Sequence, residues 1–333
     1  MIGGMDVTRN LWRMTYVVGS LFAACAASAA PNGAAPDPAP TVGVWQAPAG
    51  LTQMPIWPHA VPDAKETTRK PESVSTHEDP KALGGNSSQG IFDVSVPTMT
   101  VYPPKGPNTG AAVVVYPGGG FVMLAMTLEG TEICDWITSR GMTCILSKYR
   151  VPGGNHHYDK ACNCAVTPKE PFAFQDAQRT IRLVRAHAAE WHIDPKRIGV
   201  IGFSAGGFLV AQTSNIFESS YAPVDAADRL SSRPDFAIAA YPGHLCRDGK
   251  FDPGFKVTSR TTPTFILQNW DDPVDDVCNS MVYAQALYDA EVPAEVHLFA
   301  KGGHAFGLRP SPHPVVELWP GLVERWLKEI GIL

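Results

Sequence analysis

The run Gly202-Phe203-Ser204-Ala205-Gly206 constrains this chain more than any other five residues. Residues 197–201 before it form a short apolar stretch with strand character. Residues 207–212 after it can continue as a helix. A serine between a strand and a helix sits on a tight, strained turn with its hydroxyl exposed above the sheet. The two glycines let backbone pack on backbone where a Cβ would clash. The pattern calls for a strand–elbow–helix unit and presents a nucleophile at its corner.

The rest of the chain reads as further units of the same kind. Apolar runs at 94–96, 99–102, 111–116, 143–147, 198–203, 236–241, 264–268 and 296–299 are expected to be strands. The run 111–116 is continuously apolar, as a strand buried on both faces should be. Helical spacing appears at 129–140, 174–191, 281–290 and 315–330. In the second of these, Ala177, Ile181, Val184 and Ala188 share one face, with Arg179, Arg182 and Arg185 turned away from it. Strands alternating with helices predict an α/β fold, a mostly parallel central sheet flanked by helices on both faces.

The N-terminal thirty residues stand apart. Arg9 and Arg13 precede an apolar stretch at 17–27, and Ala27-Ser28-Ala29 is a small-residue cleavage pattern. Residues 1–29 are expected to be a secretory signal peptide, which makes the protein secreted or periplasmic. Residues 30–90, rich in Pro and Ala at first and then weakly periodic, read as a linker and an extended arm over the domain surface. Residues 91–333 are the expected catalytic domain. No later run is long and apolar enough to span a membrane after signal removal. Charged residues are few and balanced, at net −5, which argues against nucleic acid or anionic lipid as partners. Thirty glycines and thirty prolines point to many turns; with 44% of residues apolar they do not point to disorder. The number of subunits is not legible.

A serine needs a base, and the base needs an orienting group. Two loops, each following an expected strand, offer them downstream. Lys301-Gly302-Gly303-His304-Ala305-Phe306-Gly307 supplies His304, with glycines that let the ring reach into a cleft. Asn269-Trp270-Asp271-Asp272-Pro273-Val274 supplies the acid. Asp272 is the chosen residue, because Asp-Pro-Val places it at the turn. Asp271 is its main rival and Asp275 the third candidate. Upstream, Tyr116-Pro117-Gly118-Gly119-Gly120-Phe121 can turn backbone N–H groups towards a developing oxyanion. Gly119, Gly120 and Ala205 are the expected donors.

These residues resemble a known family. Pro117-Gly118-Gly119-Gly120-Phe121, Glu129-Gly130, Tyr149-Arg150-Val151-Pro152, Gln175-Asp176-Ala177-Gln178-Arg179, Asp194-Pro195, Gly202 to Gly207 and Lys301-Gly302-Gly303-His304 look like the α/β-hydrolase superfamily. More narrowly they resemble its secreted branch of acetyl xylan esterase-like and carbohydrate esterase-like enzymes. The resemblance runs from about Ile91 to the C-terminus. It implies a serine-dependent carboxylic ester hydrolase with Ser204 as nucleophile, Asp272 as acid and His304 as base. Gly119, Gly120 and Ala205 form the implied oxyanion hole. It also implies a small-molecule or carbohydrate ester as partner, and no metal or organic cofactor. Two departures stand in the pocket region: Phe208 where such sequences often have His, and Ala305 where they often have Gly.

The stretch 151–171 is unusual for the family and reads as an inserted loop. His156, His157, Asp159, Cys162 and Cys164 could ligate a metal, but their spacing matches no structural zinc pattern. A disulfide from Cys162 or Cys164 to Cys246 or Cys278 is the expectation for an oxidising compartment. Two other functions fit parts of the pattern. A prolyl-oligopeptidase-like peptidase shares the elbow and triad, but usually carries a large N-terminal domain for which the residues before Ile91 are expected to be too few. A catalytically inactive relative serving as a binding protein would usually lack a triad member, and none is lost here.

Overall fold

In the computed structural model, residues 45–63, 70–81, 83, 87–151 and 171–333 are described in full, and residues 41–42, 157–159 and 164–166 by their backbone alone. The expected signal peptide, most of the expected linker and most of the inserted loop lie outside the described residues.

Eight strands make the central sheet: β1 (Thr52–Pro55), β2 (Thr98–Tyr102), β3 (Ala112–Tyr116), β4 (Thr143–Lys148), β5 (Ile198–Phe203), β6 (Phe236–Ala240), β7 (Thr264–Asn269) and β8 (Ala294–Phe299). Their spatial order is β1-β2-β4-β3-β5-β6-β7-β8. From β4 to β8 every neighbouring pair is parallel; β1 and β2 run antiparallel at one edge. Strands β3 to β7 are buried along their whole length, so both faces of the sheet are covered. That is why they read as continuous apolar runs rather than as alternation. Edge strand β8 alternates between half-buried and exposed positions.

The helices are α1 (Glu132–Ser139), α2 (Phe172–Ala186), α3 (Ala205–Asn215), α4 (Cys278–Asp289) and α5 (Val315–Glu329). Helices α1 and α5 meet through Trp136 and Trp319, whose rings are 5.2 Å apart. Helix α2 packs on α3. The expected helix 129–140 divides into a π-helical turn at Thr127–Thr131 followed by α1. The expected strand at 94–96 does not form, although Val94 is buried.

The expected arm also differs from the structure. Its described residues between 45 and 89, expected to lie over the surface, are built into the domain. Strand β1 pairs with β2, and Trp45, Ile56 and Trp57 join the core. Buried polar ties hold this segment: Trp57 Nε1 donates to Asp176 at 2.8 Å, and Lys148 pairs with Glu72 at 2.8 Å. Such ties have no periodicity, so the sequence pattern does not reveal them. The side of α2 turned away from its apolar face is covered as well: Arg179 and Arg182 are buried, because the segment 217–230 lies over them. Arg179 bonds Asp225 at 2.8 Å and Arg182 bonds Ser219 at 3.0 Å.

The cysteines also correct an expectation. Cys246 bonds to Cys278, and Cys134 to Cys144. Neither Cys246 nor Cys278 is left for the inserted loop. The two lie at facing loop ends, the start of the segment after β6 and the first residue of α4, and Asn279 stitches the same seam by accepting from the N–H groups of Leu245 and Cys246.

Candidate active site

Ser204 stands between the last residue of β5 and the first of α3. Its φ of 52° and ψ of −117° are strained for an L-residue, the conformation that the elbow requires. The glycines flanking it are needed for space. A Cβ on Gly202 would lie 2.1 Å from the Gly206 carbonyl oxygen, and one on Gly206 would lie 2.0 Å from that of Tyr116. The helix thus starts flush against β3 and β5, and the Ala205 N–H opens the first turn of α3.

His304 comes from the loop after β8. Its Nδ1 bonds Asp272 Oδ2 at 2.8 Å. Asp272, from the loop after β7, also accepts from the N–H groups of Val274 and Asp275 at 2.9 and 3.0 Å. Asp271, its rival in the sequence, does something else: its Oδ1 accepts from the N–H groups of Gly302 and Gly303, each at 2.9 Å. It fastens the histidine loop to the acid loop without touching the ring. Asn269 adds a bond to the Gly303 carbonyl at 2.9 Å. Burial works against a charge on His304, but the Asp272 hydrogen bond and the nearby Asp275 and Asp272 charges prevail. The imidazole is held above its ordinary value.

The glycine loop after β3 lies beside the elbow. Gly118 N–H donates to Glu129 Oε2 at 2.7 Å, so it is already used. The N–H groups of Gly119 and Gly120 have no backbone partner among the described residues. Tyr241 donates its hydroxyl to Glu129 Oε1 at 2.8 Å, and Tyr149 donates to the Pro117 carbonyl. The fully buried Glu129 is pushed up by burial against the pull of His304 and of the Tyr241 hydrogen bond. It locks the glycine loop to the Tyr241 segment. In the sequence Glu129 is visible only as part of a family motif; its role depends on a contact with Tyr241, 112 residues away.

The sequence does not reveal what Asp275 does. Ser204 Oγ bonds Asp275 Oδ2 at 3.1 Å, and the same oxygen is 3.8 Å from His304 Nε2. Burial is the main influence that pushes the Asp275 carboxyl up to about 6, opposed by His304 and assisted by Asp272. The crowding of acids at 271–276 is the only signal for it. Asp275, the third candidate for the acid, meets Ser204 rather than the Nδ1 of His304, and His244, which the sequence did not single out, stands 3.9 Å from Asp275 through Nε2.

Aromatic rings form one wall. Phe208 meets Phe121 at 6.0 Å, His244 at 6.0 Å and Phe255 at 5.2 Å. Phe208 thus presents a phenyl ring to that cluster. Ala305 takes a φ of 52°, a conformation more natural to glycine. Among the described residues no three His, Cys, Asp or Glu side chains are grouped to hold a metal. The arrangement can activate a hydroxyl, pass its proton to an imidazole and receive an oxyanion.

The chain is similar to known proteins in sequence and in fold. Residues 99–228 match the BD-FAE family. The chain is 29% identical over 234 residues to an acetylxylan esterase of Xylanibacter ruminicola, an alignment covering 63% of this chain and 43% of that protein. It is 27% identical over 229 residues to endo-1,4-beta-xylanase B of Butyrivibrio fibrisolvens, covering 63% of this chain and 34% of that one. The chain therefore spans less than half the length of these two relatives. Among solved structures, the acetyl ester-xyloside bifunctional hydrolase from Caldicellulosiruptor lactoaceticus superposes with a TM-score of 0.64 at 29% identity, over 85% of this chain and 97% of that one.

Proposed function

We propose that this chain, which has the α/β-hydrolase fold and is similar to esterases, hydrolyses short-chain carboxylic esters through an acyl-enzyme. Acetyl esters on carbohydrate are the proposed substrate class, since relatives that match most of the catalytic region bear acetylxylan esterase and acetyl ester-xyloside hydrolase names. The observation that carries the reading is the convergence of a strained Ser204, the His304–Asp272 pair at 2.8 Å and the open N–H groups of the glycine loop.

In the proposed reaction Ser204 Oγ attacks the ester carbonyl carbon and His304 Nε2 takes the hydroxyl proton. Asp272 holds the Nδ1 tautomer and balances the imidazolium. The N–H groups of Gly119, Gly120 and Ala205 receive the oxyanion as backbone donors already fixed in place, so they act without reorganising. His304 returns the proton to the departing alcohol. A water then gives its proton to His304 and attacks the acyl carbon; the bond to Ser204 Oγ breaks, His304 returns that proton to Oγ, and the acid leaves.

We also infer export. Two disulfides fit an oxidising compartment, as the N-terminal signal pattern does. Mass spectrometry of exported protein should find a mature N-terminus at Ala30.

The test is an acyl series of aryl esters from acetate to decanoate, with acetylated xylan alongside. Acetate should be turned over best, and acetate should be released from the polymer. Ser204→Ala should lose both activities and also lose labelling by a fluorophosphonate. Full activity in Ser204→Ala would overturn the mechanism.

A further inference from the structure

A second carboxylate stands inside the site, and the proposed mechanism gives it no step. Asp275 is nine-tenths buried, and among the described residues its cationic neighbours are two imidazoles at 3.8 and 3.9 Å. Its Oδ2 accepts from Ser204 Oγ at 3.1 Å and stands 3.8 Å from His304 Nε2; its Oδ1 is 3.9 Å from His244 Nε2. It is held in place from several elements. Its N–H donates to Asp272, and its carbonyl accepts from Gln268 at 2.6 Å. Gly243 leaves room for it, because a Cβ there would come within 2.6 Å of Oδ1. The charged and titratable groups facing it are His304, His244, Asp272 and Glu129.

Resting on the serine mechanism proposed above, we propose that Asp275 is a positioning residue that restrains the site. It holds the Ser204 hydroxyl away from the imidazole and keeps a proton on His304 until the medium becomes less acidic. The cause is electrostatic. With Nδ1–H committed to Asp272, a neutral His304 points the Nε2 lone pair at the Asp275 carboxylate. Two acceptors face each other, which is unfavourable. A proton on Nε2 turns the same contact into an attraction. The carboxylate therefore favours imidazolium, and imidazolium cannot act as a base. The raised His304 value agrees in direction. When the pH rises, the Nε2 proton passes to bulk water and the serine hydroxyl can turn from Asp275 Oδ2 to Nε2. Because Asp275 and His304 interact strongly, the two ionisations belong to the pair rather than to either residue.

Asp275→Asn keeps the shape and removes the charge; Asp275→Ala removes both and serves if the amide variant folds poorly. Two readouts are taken on each variant and on wild type: the pH dependence of kcat/KM for an aryl acetate, and the titration of the His304 ring protons by NMR, assigned by their loss in His304→Ala. Both midpoints should fall by about one to three pH units, the range for removing an opposite charge at this distance. At a fixed pH on the acid limb, relative activity should rise about tenfold for every pH unit by which the midpoint falls. A residue needed only for packing would lower activity at every pH and leave both midpoints in place, and that result would overturn the proposal. Should wild type hydrolyse no ester, the esterase reading fails, while the NMR titration alone still decides whether Asp275 holds the His304 proton.

Discussion

A single methyl group at Gly118 should separate the glycine loop's role in chemistry from its role in folding. The φ of Gly118 is not positive, so alanine can take its backbone conformation. Space is the obstacle. A Cβ at this position would lie 2.6 Å from both Glu129 Oε2 and the Phe203 carbonyl oxygen, and 3.0 Å from Ser204 Cβ. Non-bonded heavy atoms settle near about 3.5 Å, so the loop must back away from the elbow by roughly 0.9 Å. Overpacking of this kind costs about 1–3 kcal/mol of stability. In a domain of this size each kcal/mol lowers Tm by about 2–4 °C. The catalytic effect should be larger. A misplacement of about 1 Å near the chemistry can cost roughly a hundredfold. Expressed as a barrier, a hundredfold is about 2.7 kcal/mol. The Gly118 N–H itself is bound to Glu129, so any loss arises from moving the Gly119 and Gly120 donors. Gly120→Ala is the matching control: nothing lies within 4 Å of its added Cβ, and its φ of 62° makes the cost one of backbone strain. The assay is steady-state hydrolysis of an aryl acetate by both variants, with thermal melts to show that each is folded. Gly118→Ala should lose about a hundredfold in kcat and Gly120→Ala much less. If folded Gly118→Ala kept kcat within about threefold of wild type, the assignment of this loop to the oxyanion would be wrong.

Other expectations follow from the same geometry. Asp272→Asn should lose about 10⁴-fold in kcat by disturbing the His304 tautomer, whereas Asp271→Asn, at a carboxylate that bonds the Gly302 and Gly303 N–H groups, should lose far less; equal losses would return Asp271 to contention. In wild type, kcat/KM should fall as pH falls through the raised His304 value, with a midpoint above the ordinary imidazole value of about 6.5. Asp176→Ala should destabilise by about 3–5 kcal/mol in urea melts, because it strips the partner from a buried Arg150; an unchanged midpoint would show that the pair is not structural.

Much of this site is legible along the chain because the fold places it at strand ends. Ser204, Asp272 and His304 each follow an apolar run that is a strand, and parallel strands bring their C-terminal ends to one side of the sheet. The glycine loop is readable for the same reason, as it follows β3. The N-terminal segment is harder to read. Its attachment rests on a few scattered apolar anchors and on buried pairs such as Lys148–Glu72, which leave no period of 2 or 3.6 residues to detect. The disulfide expectation fails because cysteines spread along the chain permit several pairings, and only the spatial meeting of Cys246 and Cys278 selects one.

Local pattern determined the elbow, the strand and helix succession, and the loops that carry Asp272 and His304. Those features depend on neighbours in sequence: glycine beside serine, apolar residues in runs, turn residues between them. Tertiary structure alone decided which aspartate does what. Four acids share the loop 271–276, nearly alike as letters. One fastens the histidine loop, one orients the ring, and Asp275 reaches Ser204 across 71 residues of chain. A difference of a few ångströms in where a carboxylate lies separates those roles, and distances of that kind are set by packing, not by composition.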